Sequence, residues 1–88
     1  MPWRVEVSRT AERQISKLDR QVQISIIHYL REHLEQSEDP RQQGKALRGE
    51  KKGLWRYRVG DYRIICHLQD ESKTVVVLTL SHRKEVYR

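Results

Sequence analysis

Arg56, Arg58, Arg63 and His82, all in the second half of the chain, are of types that neutralise a phosphodiester and move its protons. Their spacing gathers the arginines. Gly60-Asp61 separates the strand-like runs Leu54–Val59 and Tyr62–Gln69, and a leading glycine is the chemistry of a two-residue type II′ hairpin. Such a turn sets the register, so that Val59 meets Tyr62, Arg58 meets Arg63, Tyr57 meets Ile64 and Trp55 meets Cys66. One face then collects Trp55, Tyr57, Val59, Tyr62, Ile64, Cys66 and Leu68, the expected core side. The other collects Arg56, Arg58, Arg63, Ile65 and His67. Like charges directly opposite weaken a ladder by a few tenths up to about 1 kcal/mol, so Arg58 facing Arg63 does not serve folding. A phosphate between the two guanidinium forks relieves the repulsion and accepts charge-assisted hydrogen bonds. The bland alternative is two side chains splayed into water, with Asp61 or Glu85 as counter-ions.

The C-terminal run Ser81-His-Arg-Lys-Glu-Val-Tyr-Arg adds His82, Arg83, Lys84 and Tyr87 where the last strand should end beside the arginines. RNA can be cut without a metal, because the ribose 2′-hydroxyl attacks its own phosphate once a proton is removed and charge is neutralised. A histidine, with an ordinary pKa of about 6.5, suits proton transfer, whereas an arginine is a poor base. The expectation is therefore His82 for acid or base work and the arginines for charge. His28 and His33 fall on a helix, where partial burial is the plainer role, and His67 shares the basic face or packs against Leu54. There is no Walker loop, nucleophile elbow, dinucleotide fingerprint, HExxH helix or acidic pair suited to magnesium, so no cofactor and no metal-dependent nuclease is expected.

The elements that must position these groups follow from patterning. At 88 residues the chain fits a single domain, residues 1–88, with one modest core. Trp3, Val5 and Val7 alternate with polar residues as a strand does, while Ala11, Ile15 and Leu18 recur at helical spacing behind Ser8 or Thr10 as cap. Asp19 can cap a second helix with Val22, Ile26, Tyr29, Leu30 and His33 on one face. From Gln36 to Gly53 periodicity stops, leaving a basic loop with Lys45, Arg48, Lys51 and Lys52 and a short turn near Ala46-Leu47. Three strand-like runs close the chain. The fold class is α+β in the order β-α-α-β-β-β, a helical hairpin on one face of a small antiparallel sheet with the other face open. The last strand fits either parity, with Val75, Val77 and Thr79 or Val76, Leu78 and Leu80 inward.

Charge separates the halves. Residues 1–40 carry 6 basic and 7 acidic side chains, residues 41–88 carry 12 and 5, and the second half has the field a polyanion-binding surface needs. The lone Cys66 excludes an internal disulfide and points to a reducing compartment. No apolar run is long enough for a signal peptide or membrane span, so a cytoplasmic protein without membrane contact is expected.

Leu47-Arg48-Gly49, Trp55-Arg-Tyr-Arg-Val-Gly-Asp-Tyr-Arg-Ile and Ser81-His-Arg-Lys-Glu-Val-Tyr, in that element order, resemble the RelE/ParE superfamily of toxin–antitoxin modules, nearer its RelE branch. The resemblance spans essentially the whole chain. It implies a RelE-like fold and a ribosome-dependent endoribonuclease that cuts messenger RNA in the A site of the 30S subunit. It also implies inhibition by an acidic, RelB-like antitoxin. Arg56 and Arg58 match the family's basic pair on the second strand, Arg63 its phosphate-binding arginine, and Arg83 with Tyr87 its C-terminal arginine and base-stacking tyrosine. The basic pair is lysine in some members, one acting as base; with arginine at both positions here, His82, Lys51, Lys52 or solvent remain as bases. Lys45, Arg48, Lys51, Lys52, His67 and Lys84 are expected to bind RNA. The alternatives are a ParE-like DNA gyrase inhibitor and an inactive relic that binds RNA or an antitoxin.

Overall fold

The structure, a computed structural model, describes residues 2–82. Strand β1 (Arg4–Val7) leads into α1 (Arg9–Ser16) and α2 (Arg20–Tyr29). Ser8 joins the first two. Its hydroxyl accepts the Ala11 N–H at 3.1 Å, capping α1, and donates to the Leu78 carbonyl at 2.8 Å, tying the helix to the sheet. Asp19 occupies the N-cap position of α2 but makes no side-chain cap bond. The link is held instead by Gln23, whose amide donates to the Leu18 carbonyl at 2.8 Å. Helix α2 widens into a π-helical segment, Leu30–Glu35. The wider turn brings Leu34 rather than His33 round to the sheet, so Ile26, Leu30 and Leu34 are the buried residues. His28 and His33 are exposed, contrary to expectation, and His33 stacks on Tyr29 at 4.9 Å.

Two helices pack on one face of a five-stranded sheet of order β1-β5-β4-β3-β2, where β2 is Lys45–Ala46, β3 Leu54–Val59, β4 Tyr62–Gln69 and β5 Thr74–His82. The sheet is mixed rather than wholly antiparallel: β1 runs parallel to β5, with Val5 beside Val75 and Val7 beside Val77. The intervening helices and hairpin supply the long crossover that a parallel pair requires. Strand β5 carries the second difference. Ile65 faces Thr79 but Cys66 faces Val77, so Leu78 is an extra residue, a β-bulge. The bulge exchanges the faces. Val75 and Val77 point inward before it and Leu80 after it, so β5 uses both parities in turn. Gln14 of α1 covers the strand beyond the end of β1, its amide oxygen accepting the Leu80 N–H at 2.7 Å and the Thr79 hydroxyl at 3.0 Å.

The segment expected as a loop is partly ordered. A 3₁₀ turn at Pro40–Gln43 precedes β2 and another spans Gly49–Lys51. Three contacts hold it. The buried Tyr57 hydroxyl donates to the Pro40 carbonyl at 2.8 Å. Arg41 grips Asp70 through both guanidinium nitrogens, at 2.9 and 2.8 Å, and lies 5.9 Å from the Trp3 ring centroid and 5.7 Å from that of Trp55. Gly44 sits so close to β3 that a Cβ there would meet the Tyr57 ring at 2.7 Å and the Arg56 carbonyl at 2.9 Å.

Two outcomes follow from these contacts. Cys66 is fully buried, and burial pushes its thiol up to about 12, so a thiol reagent at pH 8 should label the native protein far more slowly than the urea-unfolded chain. Rapid stoichiometric labelling with the fold intact would contradict the packing. Asp70 is held below the usual carboxylate range, first by its hydrogen bond from Arg41 and then by that cation's charge. A depressed carboxyl stabilises the fold above its unfolded pKa of about 3.9 and loses that contribution as pH falls through the folded value. Tryptophan emission from Trp3 and Trp55 should therefore change only below about pH 4, a transition missing in Asp70→Asn; a midpoint above 4 would show the clamp is not ionic.

Candidate nucleic-acid interface

Gly60 takes a positive φ of 58° while Asp61 is not among the residues with positive φ, the pattern of a II′ turn. The β3–β4 register is the one that turn dictates, from Val59 beside Tyr62 to Leu54 beside His67. A two-residue loop makes Val59–Tyr62 the hydrogen-bonded pair, so Arg58–Arg63 is the closer, non-hydrogen-bonded kind. Its neighbours Tyr57 and Ile64 are buried toward the helices, which directs Arg58, exposed, and Arg63, half-buried, to the helix-free face. Beside Arg63 in register lies Ser81.

The next row on this face, about 7 Å along the strands, begins with Lys45 opposite Arg56. Four cationic side chains thus stand in two adjacent rows. Among the described residues Arg58 pairs with no carboxylate: the ion pairs Arg4–Glu6 and Arg41–Asp70 lie elsewhere. Arg48, Lys51 and Lys52 are exposed around the Gly49–Lys51 turn, extending the positive rim without entering the rows. His67 is exposed on the same face, between Leu54 and Val76 in register, but four residues along β4 from Arg63, about 13 Å.

His82 departs from expectation. Its register partner is Tyr62, whose ring meets the imidazole edge-on at 5.2 Å on the helix-bearing side, beside Gln14, Lys17 and Leu18 of the helical hairpin. The cause is the bulge at Leu78. In an unbroken β5 that buries Val75 and Val77, residue 82 would share the arginine face; one inserted residue turns it over. Arg83, Lys84 and Tyr87 lie outside the described residues. Sequence reasoning missed the Tyr29 ring and the amides of Gln42 and Gln43, which approach Arg56 and Arg58 at the β2 edge. The basic loop was the visible signal there; the order that brings it against β3 comes from Tyr57, Gly44 and Arg41, which sequence spacing does not pair.

Among the described residues no group of three His, Cys, Asp or Glu side chains could hold a metal ion, and no helix is long and apolar enough to cross a membrane.

Comparison with known proteins places this geometry. A family model described as the ParE toxin of the type II toxin–antitoxin system parDE matches residues 5–87. The toxin RelG of Mycobacterium tuberculosis is 35% identical over 88 residues, all of this chain and 99% of that protein. The toxin RelE of the same organism is 28% identical over 87 residues, covering 99% of this chain and 88% of the relative. The crystal structure of the M. tuberculosis toxin–antitoxin complex RelBE2 superposes with a TM-score of 0.86 at 32% identity, over 94% of this chain and all of the matched one.

If the arginine pair is a cost to folding, Arg58→Thr should raise stability in urea titrations by several tenths up to about 1 kcal/mol at low salt, the gain shrinking as salt screens the charges. A loss of stability would show that the pair is not repulsive.

Proposed function

Because this chain belongs to the ParE toxin family and is a type II toxin of the RelE/ParE superfamily, we propose that it arrests translation by cutting messenger RNA in the ribosomal A site. The observation that carries this reading is Arg58 and Arg63 facing each other on the helix-free side of the sheet, with Lys45 and Arg56 in the next row. That arrangement suits a ribose-phosphate chain. The 2′-oxygen attacks the adjacent phosphorus, the bond to the 5′-oxygen breaks, and one proton leaves the 2′-hydroxyl while another reaches the 5′-oxygen. Arg58 and Arg63 bind the non-bridging oxygens and take up the charge of the phosphorane, a task in which one donor contributes about 3 kcal/mol. Arg56 and Lys45 hold the neighbouring phosphate, and Arg48, Lys51 and Lys52 extend the contact along the strand. In the pattern the chain resembles, Arg83 adds a guanidinium, Tyr87 stacks on a base, and Lys84 and His67 are peripheral contacts. His82, on the other face, takes no part in proton transfer, which falls to Lys51, Lys52 or solvent.

The partners in this reading are the 30S subunit with its message, and an acidic RelB-like antitoxin that neutralises the net charge of +6 in the cytoplasm. A chain of the toxin–antitoxin complex RelBE2 is similar to this one. A second reading, a gyrase inhibitor, draws on the ParE family model; it gives the converging arginines no work to do.

In cell-free translation the purified protein should shorten messages at discrete sites, and Arg63→Ala should lower the cleavage rate about a hundredfold while melting within a few degrees of the native protein. His82→Ala should leave the cleavage rate and its pH profile unchanged. Intact messages beside blocked translation, or blocked gyrase supercoiling, would overturn the nuclease reading.

A further inference from the structure

Where β2 ends against β3, a cavity of about 310 Å³ opens beside the arginine rows. Lys45, Arg56 and Arg58 form one wall, and among the described residues no carboxylate lines it. The remaining wall has a different chemistry. Tyr29 reaches in from α2, its ring braced by His33 at 4.9 Å and Tyr57 at 6.4 Å, and Tyr57 is itself locked to Pro40. Gln42 and Gln43, both exposed, bring two amides that hydrogen-bond to no other described residue.

Three cations call for a phosphate, but a bare phosphate leaves a braced aromatic ring and two amides without work. An amide carries donors and an acceptor, the complement of a nucleobase edge, and a phenol ring offers a stacking or edge contact for the same base. The volume lies at the lower end of the range for small-ligand pockets, which suits one nucleotide and excludes a duplex. We propose that this cavity is a nucleotide subsite: it seats the base next to the phosphate held by Lys45 and Arg56, with Gln42 and Gln43 reading its edge against Tyr29. It rests on the arginine face being an RNA site and would give the cleavage its base preference.

The test titrates the full chain with the four ribonucleoside 3′-monophosphates, orthophosphate and a hexaglutamate peptide, following heat and the side-chain amide resonances. At least one nucleotide should bind about tenfold tighter than orthophosphate, the scale of one base contact, and shift the Gln42 and Gln43 amides. The double variant Gln42→Ala/Gln43→Ala should erase the differences among nucleotides and leave orthophosphate binding within about twofold. Nucleotides binding no tighter than orthophosphate, or hexaglutamate binding tighter than any nucleotide, would overturn the subsite. The parent reading fails separately. Selective nucleotide binding by a protein that leaves messages intact sinks the nuclease and keeps the subsite; cleavage whose base preference survives the double variant sinks the subsite and keeps the nuclease.

Discussion

Two guanidinium groups held side by side by a covalent accident of chain geometry, the glycine-led turn at Gly60, are the constraint on which the rest of the molecule depends. Arg58 and Arg63 cannot slide apart without moving Tyr57 and Ile64, the pair next to them, and both of those are sealed under the helices. Burying a side chain such as Ile64 contributes about 1.5–3 kcal/mol, whereas the like-charge contact costs at most about 1. The core therefore wins, and the register holds against the repulsion. The same alternation that buries one set of residues makes the opposite face cationic, so the core and the cationic face are consequences of one register.

The second tier of structure widens that face from one row to two. Lys45 reaches its place opposite Arg56 only because a two-residue strand is pressed against β3, and the means are a tyrosine–carbonyl bond, a glycine without room for a Cβ, and an arginine gripped by a carboxylate between two indoles. Of these, Gly44 also lines the cavity proposed for the nucleotide. On the far side of the sheet, Ser8 and Gln14 hold the Leu78 bulge and with it the direction in which β5 delivers its last residues.

What the sequence made legible divides along the same line. The hairpin could be read because a two-residue turn with glycine first leaves one register, and alternation then assigns each face; the helical hairpin could be read from the spacing of Ala11 with Ile15 and of Val22 with Ile26. The parallel pairing of β1 was hidden, since nothing local in Arg4–Val7 names its neighbour. His82 was misplaced for a definite reason: alternation propagates only through a regular strand, and the run of β-branched and aliphatic residues around Leu78 gives no mark of the inserted residue. The basic loop was recognised by composition, but its order depends on contacts between residues far apart in sequence, such as Arg41 with Asp70. The resemblance to the RelE/ParE superfamily, drawn from short motifs, agrees with the family match over residues 5–87 and with the superposition on RelBE2.

The central claim, that Arg58 and Arg63 form one anion site, is tested most directly by melting the protein against increasing phosphate at constant ionic strength, beside the Arg58→Thr variant as a control for the general stabilising effect of phosphate. A ligand that binds only the folded state raises stability by RT ln(1 + [L]/Kd), so the account predicts a melting temperature that climbs more steeply for the native protein than for the variant. Parallel curves for the two proteins would contradict it.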